Sequence, residues 1–177
     1  MTTAFDTAAL ILRDLQGCDA LTLQKLLYYA QGWCLAETGR ACFPEAIEAW
    51  KHGPVVRAVW RETRYGNLAI KGSAEAVPSE HASIVADVVE VYGHVGSSEL
   101  VESTHAEPGW LVARRGLAPD DSGDAPIDLD VVRAFFRRST AATRKERMRE
   151  ALSRSRERAQ LRKVLEPHRE TMLRLAQ

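Results

Sequence analysis

The sequence contains no CxxC pair. Its three cysteines, Cys18, Cys34 and Cys42, are odd in number and irregularly spaced, which argues against a disulfide framework and against a zinc knuckle. Cys34 falls on an apolar helical face, where a free thiol behaves as a small hydrophobe. No apolar run approaches the roughly 18 residues that a membrane-spanning helix needs. The first ten residues lack a basic region, so a signal peptide is not expected and the cytoplasm is the default compartment.

Catalytic patterns are also missing. The five histidines, His52, His81, His94, His105 and His168, are scattered, with no HxxxH or HExxH pair to present two nitrogens to a metal. Ser97 and Ser98 stand in GSSEL, not in the GxSxG elbow that exposes a nucleophile. No glycine-rich phosphate loop is present. His105 and Glu107 form an acid–base pair only if the fold brings them together, and a single histidine near a helix end more often serves as a cap or a packed hydrogen-bonding group. The residues therefore point away from an enzyme, with no catalytic residue, no cofactor and no metal expected.

Net charge is zero, with 24 Lys+Arg against 24 Asp+Glu. That argues against a general nucleic-acid-binding surface. The balance hides an asymmetry, however. Residues 1–138 hold 13 basic against 19 acidic side chains, whereas residues 139–177 hold 11 against 5. An acidic body carries a basic tail.

At 177 residues the chain is about one domain long and can bury a hydrophobic core. The pattern predicts a mainly α (α+β) fold: a compact multi-helix domain over 1–138, a small two- or three-stranded β element, and a basic helical extension over 139–177. A first helix covers 5–16 and stops at Gly17. The next is capped by Asp19 or Thr22, carries Leu23, Leu26, Leu27, Ala30 and Cys34 at helical spacing, and ends at Gly39. Tyr28, Tyr29 and Trp33 widen its buried face as core aromatics.

Residues 45–51 read as a short strand with 67–71 as a possible partner. Pro54 is placed at the first position of a helix, with Gly53 before it. Val56, Val59, Trp60 and Thr63 then form the inner face of that helix, and Arg57, Arg61 and Arg64 the outer one. Ser79 begins a helix with Ile84, Val85, Val88 and Tyr92 inward. Ser97 caps a short helix to about His105, residues 108–116 form another helical piece, and 118–126 are a loop. A helix anchored by Val132, Phe135 and Phe136 closes the body.

Beyond Ser139 the helix-forming residues are abundant and the apolar ones, Met148, Leu152 and Ala159, are few. Leu161, Leu165, His168, Met172 and Leu175 follow a short heptad-like seam, which Pro167 interrupts. A helix this polar rarely folds alone, so it either lies on the acidic body or waits for a partner.

Four stretches taken together resemble the Panacea domain family of SocA-like antitoxins and phage-associated proteins. LQKLLYYAQGW (23–33) is similar to the family's most recognisable helix, and IEAWKHGPVV (47–56) to its strand, Gly-Pro and helix block. Tyr65–Gly66 and LVESTHAEPGW (100–110) resemble later blocks, in the right order, so that the likeness covers roughly residues 5–138. Here Pro108 precedes Gly109, where the family more often has Gly before Pro, and the tail lies outside the family's domain. The resemblance implies an antitoxin of a toxin–antitoxin system that neutralises a cognate protein toxin by direct binding. Family members also act by delivering a toxin to an ATP-dependent protease. A DNA-binding role for the basic tail is a further alternative, though nucleic acid is not the expected partner.

On that reading, the partner-binding residues are Arg57, Arg61 and Arg64, together with Met148, Leu152, Arg154 and Arg158 in the tail, because Arg and Met are favoured at contact surfaces. His52 is a turn residue that ties down neighbouring backbone, with partner contact as its alternative role.

Overall fold

The computed structural model of the chain describes residues 2–118 and 120–166. Helix α1 (Ala4–Asp14) starts at a capping box in which Thr3 and Asp6 satisfy each other's backbone N–H. Helix α2 (Ala20–Thr38) is capped by Asp19, whose carboxylate accepts from the Thr22 N–H at 2.6 Å. It ends at Gly39, whose φ of 72° completes a left-handed stop.

Helix α2 is the axis of the fold. Every residue from Thr22 to Leu35 is buried, including Gln24, Lys25 and Gln31, so the helix is enclosed on all sides and not along one stripe. The expected Leu23, Leu26, Leu27, Ala30 and Cys34 are buried, and so are Tyr28, Tyr29 and Trp33. Gly32 is what allows a neighbour this close: a Cβ there would stand 2.4 Å from the Phe136 ring and 2.9 Å from Val132.

The β element has a different pairing from the one the sequence suggests. Strand β1 (Glu48–Trp50) pairs antiparallel with β2 (Gly53–Val55), and residues 67–71 form no strand. A two-residue turn, Lys51–His52, joins them, and Gly53 takes a φ of 97° to close it. Pro54 therefore lies inside β2 and not at a helix start. On the other side of β1, the Ala49 N–H reaches Ala125 O (2.8 Å) and the Ile127 N–H reaches Ile47 O (2.8 Å). Helix α3 (Arg57–Thr63) then begins one turn later than expected, with Val56 at its N-cap.

Helices α4 (Ser79–Tyr92), α5 (Ser97–His105), α6 (Pro108–Ala113) and α7 (Leu129–Phe136) follow. Ile84, Val85, Val88 and Tyr92 point inward, as do Val132, Phe135 and Phe136. Ser97 is the first residue of α5 and not its cap, a position that Gly96 takes. Pro108 opens α6, where its missing N–H costs nothing.

The described part of the basic tail, residues 139–166, lies on the acidic body. Helix α8 (Arg144–Leu165) opens with a Thr143–Glu146 capping box and packs across α4, α5 and α7. Met148, Ala151, Leu152, Ser155 and Ala159 make its buried stripe, and the first three belong to the same core cluster as α2. Around that stripe, Arg144 pairs with Asp87, Lys145 with Glu90, Arg147 with Glu37, Arg156 with Glu99 and Lys163 with Glu102. The Lys145, Arg156 and Lys163 pairs are largely exposed and individually worth about 0–1 kcal/mol, whereas the Arg144 and Arg147 pairs are half-buried. Leu161 and Leu165 are exposed, while Pro167, His168, Met172 and Leu175 of the expected seam lie outside the described residues.

Candidate interaction surface and the polar network beneath it

Helix α3 and the β1–β2 turn present one continuous outer face. At its centre Arg57 is bound on two sides. Its guanidinium donates to Glu48 at 2.6–3.0 Å and to Asp124 at 3.0 Å, and it lies 5.2 Å from the Trp50 ring centre. Trp50 meets Trp60 edge-on and donates its indole N–H to Glu48 at 2.7 Å. Burial pushes the Glu48 carboxyl up, but the bonds from Arg57 and Trp50 and the charge of Arg61 hold it below its usual range. A depression of about 380 Å³ opens beside this cluster, lined by Trp50, Lys51, Arg57, Ser122, Gly123 and Asp124.

Arg61 and Arg64 lie further along the same helix edge and are exposed. The Arg64 guanidinium sits 4.6 Å over the ring of Tyr65, which is 82% exposed. His52 is exposed at the hairpin turn, next to Lys51, which pairs with Asp120 at 2.9 Å. Arginine and tyrosine offered side by side are the residue types that most often anchor protein interfaces.

Behind the hairpin lies a buried polar layer. Lys25 is fully buried and donates to Pro54 O at 3.1 Å, and burial lowers its pKa to about 7. A Cβ on Gly53 would meet Lys25 Nζ at 2.8 Å and Thr104 Oγ1 at 2.9 Å, so both the positive φ and the close approach require glycine here. Glu107, also fully buried, accepts from Tyr28 (2.8 Å), Tyr29 (3.1 Å) and Ser155 (2.8 Å). Burial nevertheless outweighs these three donors and raises its carboxyl to about 7. Trp33 donates to the Tyr92 hydroxyl (3.1 Å), which donates in turn to Met148 O (3.0 Å). Both chains of hydrogen bonds run from α2 to α8.

His105 and Glu107 do not form an acid–base pair. The imidazole stacks on Trp110 with ring centres 4.0 Å apart, and burial together with the charges of Lys25, Arg162 and Arg114 lowers it to about 4. The carboxylate is occupied by the two tyrosines and Ser155.

The expected contact residues separate into three groups. His52, Arg61 and Arg64 are exposed, and Arg57 is on the same face but held by Glu48 and Asp124. Arg154 and Arg158 are half-buried: Arg154 lies 5.5 Å over Phe135, and Arg158 donates to Ala106 O at 2.8 Å, at the C-terminus of α5. Met148 and Leu152 are 0% and 5% exposed, inside the chain's own core. The thin stripe of the tail is already covered by the body. Sequence spacing gave no sign of the Glu107 network, whose three donors stand 48 to 79 residues from the carboxylate. Nor did it show that Cys34, Cys42 and His81 bring potential metal-ligating atoms within 4.8 Å of one another. No helix among the described residues is long and apolar enough to cross a membrane.

Residues 23–111 match the family described as antitoxin SocA-like, Panacea domain. The chain is also similar to antitoxin SocA of Caulobacter vibrioides (strain NA1000 / CB15N), with 35% identity over 112 residues, which is 54% of this chain and 60% of that protein. The similarity thus spans less than two thirds of that relative's length. No solved structure gives a significant match.

Proposed function

The chain belongs to the SocA-like antitoxin, Panacea domain family, and from that premise we propose that it is an antitoxin that neutralises a cognate protein toxin by binding it directly. The family match carries this reading. The outer face of α3 supplies contact chemistry consistent with it: Arg61, Arg64 and Tyr65, flanked by His52 and Arg57. A face of this composition suits an acidic surface that also offers an apolar recess for the Tyr65 ring. Residues 1–138 form the antitoxin domain, and α8 of the extension that begins at 139 braces it. The role is one of binding, without catalysis.

An adaptor that hands the toxin to an ATP-dependent protease is the second reading. Leu161, Val164 and Leu165, more than half exposed on the last turns of α8, provide a second apolar contact strip away from the arginine face. The half-life of the partner separates the two. Pulse–chase labelling of the toxin, with and without this protein, shows an unchanged or longer half-life for a direct neutraliser and a shorter one for an adaptor.

A further inference from the structure

We propose that Cys34, Cys42 and His81 form a buried binding site for a thiophilic divalent cation, with zinc as the fitting ion. Arg57, Arg61 and Arg64 take no part, so the site stands independently of the antitoxin reading.

The three side chains come from separate places. Cys34 is on α2, Cys42 follows the end of that helix, and His81 is in the first turn of α4. All are buried, at 0%, 2% and 6% exposure, and their ligand atoms lie within 4.8 Å of one another. Zinc holds sulfur at about 2.3 Å and nitrogen at about 2.0–2.1 Å, which places tetrahedral ligand atoms roughly 3.5–3.8 Å apart. A contraction of about one ångström, within the reach of side-chain rotation, brings this set onto an ion.

The imidazole keeps one buried nitrogen free for ligation. Thr38 donates its single hydroxyl proton to Cys34 O at 2.8 Å, and its oxygen accepts from the Arg40 N–H at 3.1 Å. Its contact with His81 Nε2, at 3.4 Å, therefore uses Nε2–H as donor. The lone pair is left on Nδ1, which is buried and has no hydrogen-bond partner. Metal-ligating histidines are commonly fixed in this way, one nitrogen donating to a neighbour while the other faces the metal.

The sulfurs are held as firmly. Gln31 accepts from the Cys42 and Phe43 N–H groups at 2.7 and 3.2 Å and donates to Phe43 O at 2.9 Å, which locks the segment carrying Cys42. The two sulfurs lie within 4.8 Å of each other. The Thr7 hydroxyl lies 3.5 Å from Cys42 Sγ. An exposed ion pair joins Arg40 and Glu80, which are two residues from Cys42 and one from His81 in sequence.

Charge balance favours a divalent ion. Two thiolates, one neutral imidazole and Zn²⁺ make an uncharged unit that a dry interior accepts, and binding releases the thiol protons to solvent.

Cobalt(II) titration of the reduced full-length chain tests the site, because tetrahedral thiolate–cobalt complexes absorb in the near ultraviolet by charge transfer and in the visible by ligand-field bands. One equivalent should bind, develop both bands and be displaced by zinc. C42S and H81A, checked for retained helicity by circular dichroism, should each weaken binding by 10-fold or more. Zinc should raise the melting temperature of the parent chain and leave both variants unmoved. Absence of the charge-transfer band in the unmutated chain overturns the proposal, whatever the variants do. So does recovery of a Cys34–Cys42 disulfide from a chain that takes up no metal when reduced.

Discussion

Ser155 on α8 donates a 2.8 Å hydrogen bond to Glu107 at the head of α6, and both side chains are fully buried. One is in the basic tail, the other in the stretch that matches the antitoxin family. The bond ties the tail into the core of the domain, and the consequence is measurable.

Replacing Ser155 with alanine removes one of three donors from a carboxyl that has no access to water. A cost of about 1–3 kcal/mol in unfolding free energy is expected, typical of a buried acceptor left short of partners. Urea denaturation followed by circular dichroism reads it, and a change below about 0.5 kcal/mol, the range of ordinary surface substitutions, would mean that the tail is only loosely attached.

Glu107 makes stability depend on pH. Its folded value of about 7 exceeds the ordinary 4.5, so the folded chain holds a proton that the unfolded chain has lost between those limits. Its contribution is fully present below about pH 4.5 and is lost as pH rises through about 7. Glu107→Gln removes this dependence. The stability of the parent chain minus that of the variant should fall by on the order of 3 kcal/mol across that window. Parallel denaturation curves at several pH values test it, and a flat difference contradicts the burial-driven shift.

Lys25 behaves in the opposite sense. Burial depresses its folded value to about 7 from 10.5, so the folded chain has lost a proton that the unfolded chain keeps between the two. Stability from this group is present above about pH 10.5 and is lost as pH falls through about 7. Lys25→Met should therefore be stabilising, most at pH 6 and by on the order of 5 kcal/mol, with the gain shrinking towards pH 10. A gain that is independent of pH would place the effect in packing instead of charge.

Much of the fold was legible because periodicity reports burial. The buried positions of α4 and α7 and the Gly39 stop follow from spacing and cap chemistry alone. Helix α2 was harder, because Gln24, Lys25 and Gln31 look like a polar face and yet are enclosed by β2, α5 and the loop carrying Phe43. The hairpin is ambiguous in sequence for a local reason: Gly53–Pro54 suits a helix start as well as a strand that follows a tight turn, and only pairing across Lys51–His52 decides between them. The tail offered two fates, and its acidic partners, Glu37, Asp87, Glu90, Glu99 and Glu102, are 55 to 110 residues away in sequence. The same distance problem hid the Glu107 network. The exposed arginines were the easier part, since α3 has one clearly apolar side.

Growth rescue tests the central claim most directly. The product of the neighbouring gene is induced in cells carrying this chain, the double variant R61E/R64E, or neither. Arg61 and Arg64 are exposed, so charge reversal should leave the melting temperature nearly unchanged, whereas loss of two anchors costs binding at least about 2 kcal/mol, or roughly 30-fold. The account predicts arrest without the chain, growth with the parent chain and arrest again with the folded double variant. A neighbouring product that is harmless alone, or that stays lethal beside the parent chain, contradicts the antitoxin reading, and full rescue by the double variant contradicts the arginine face.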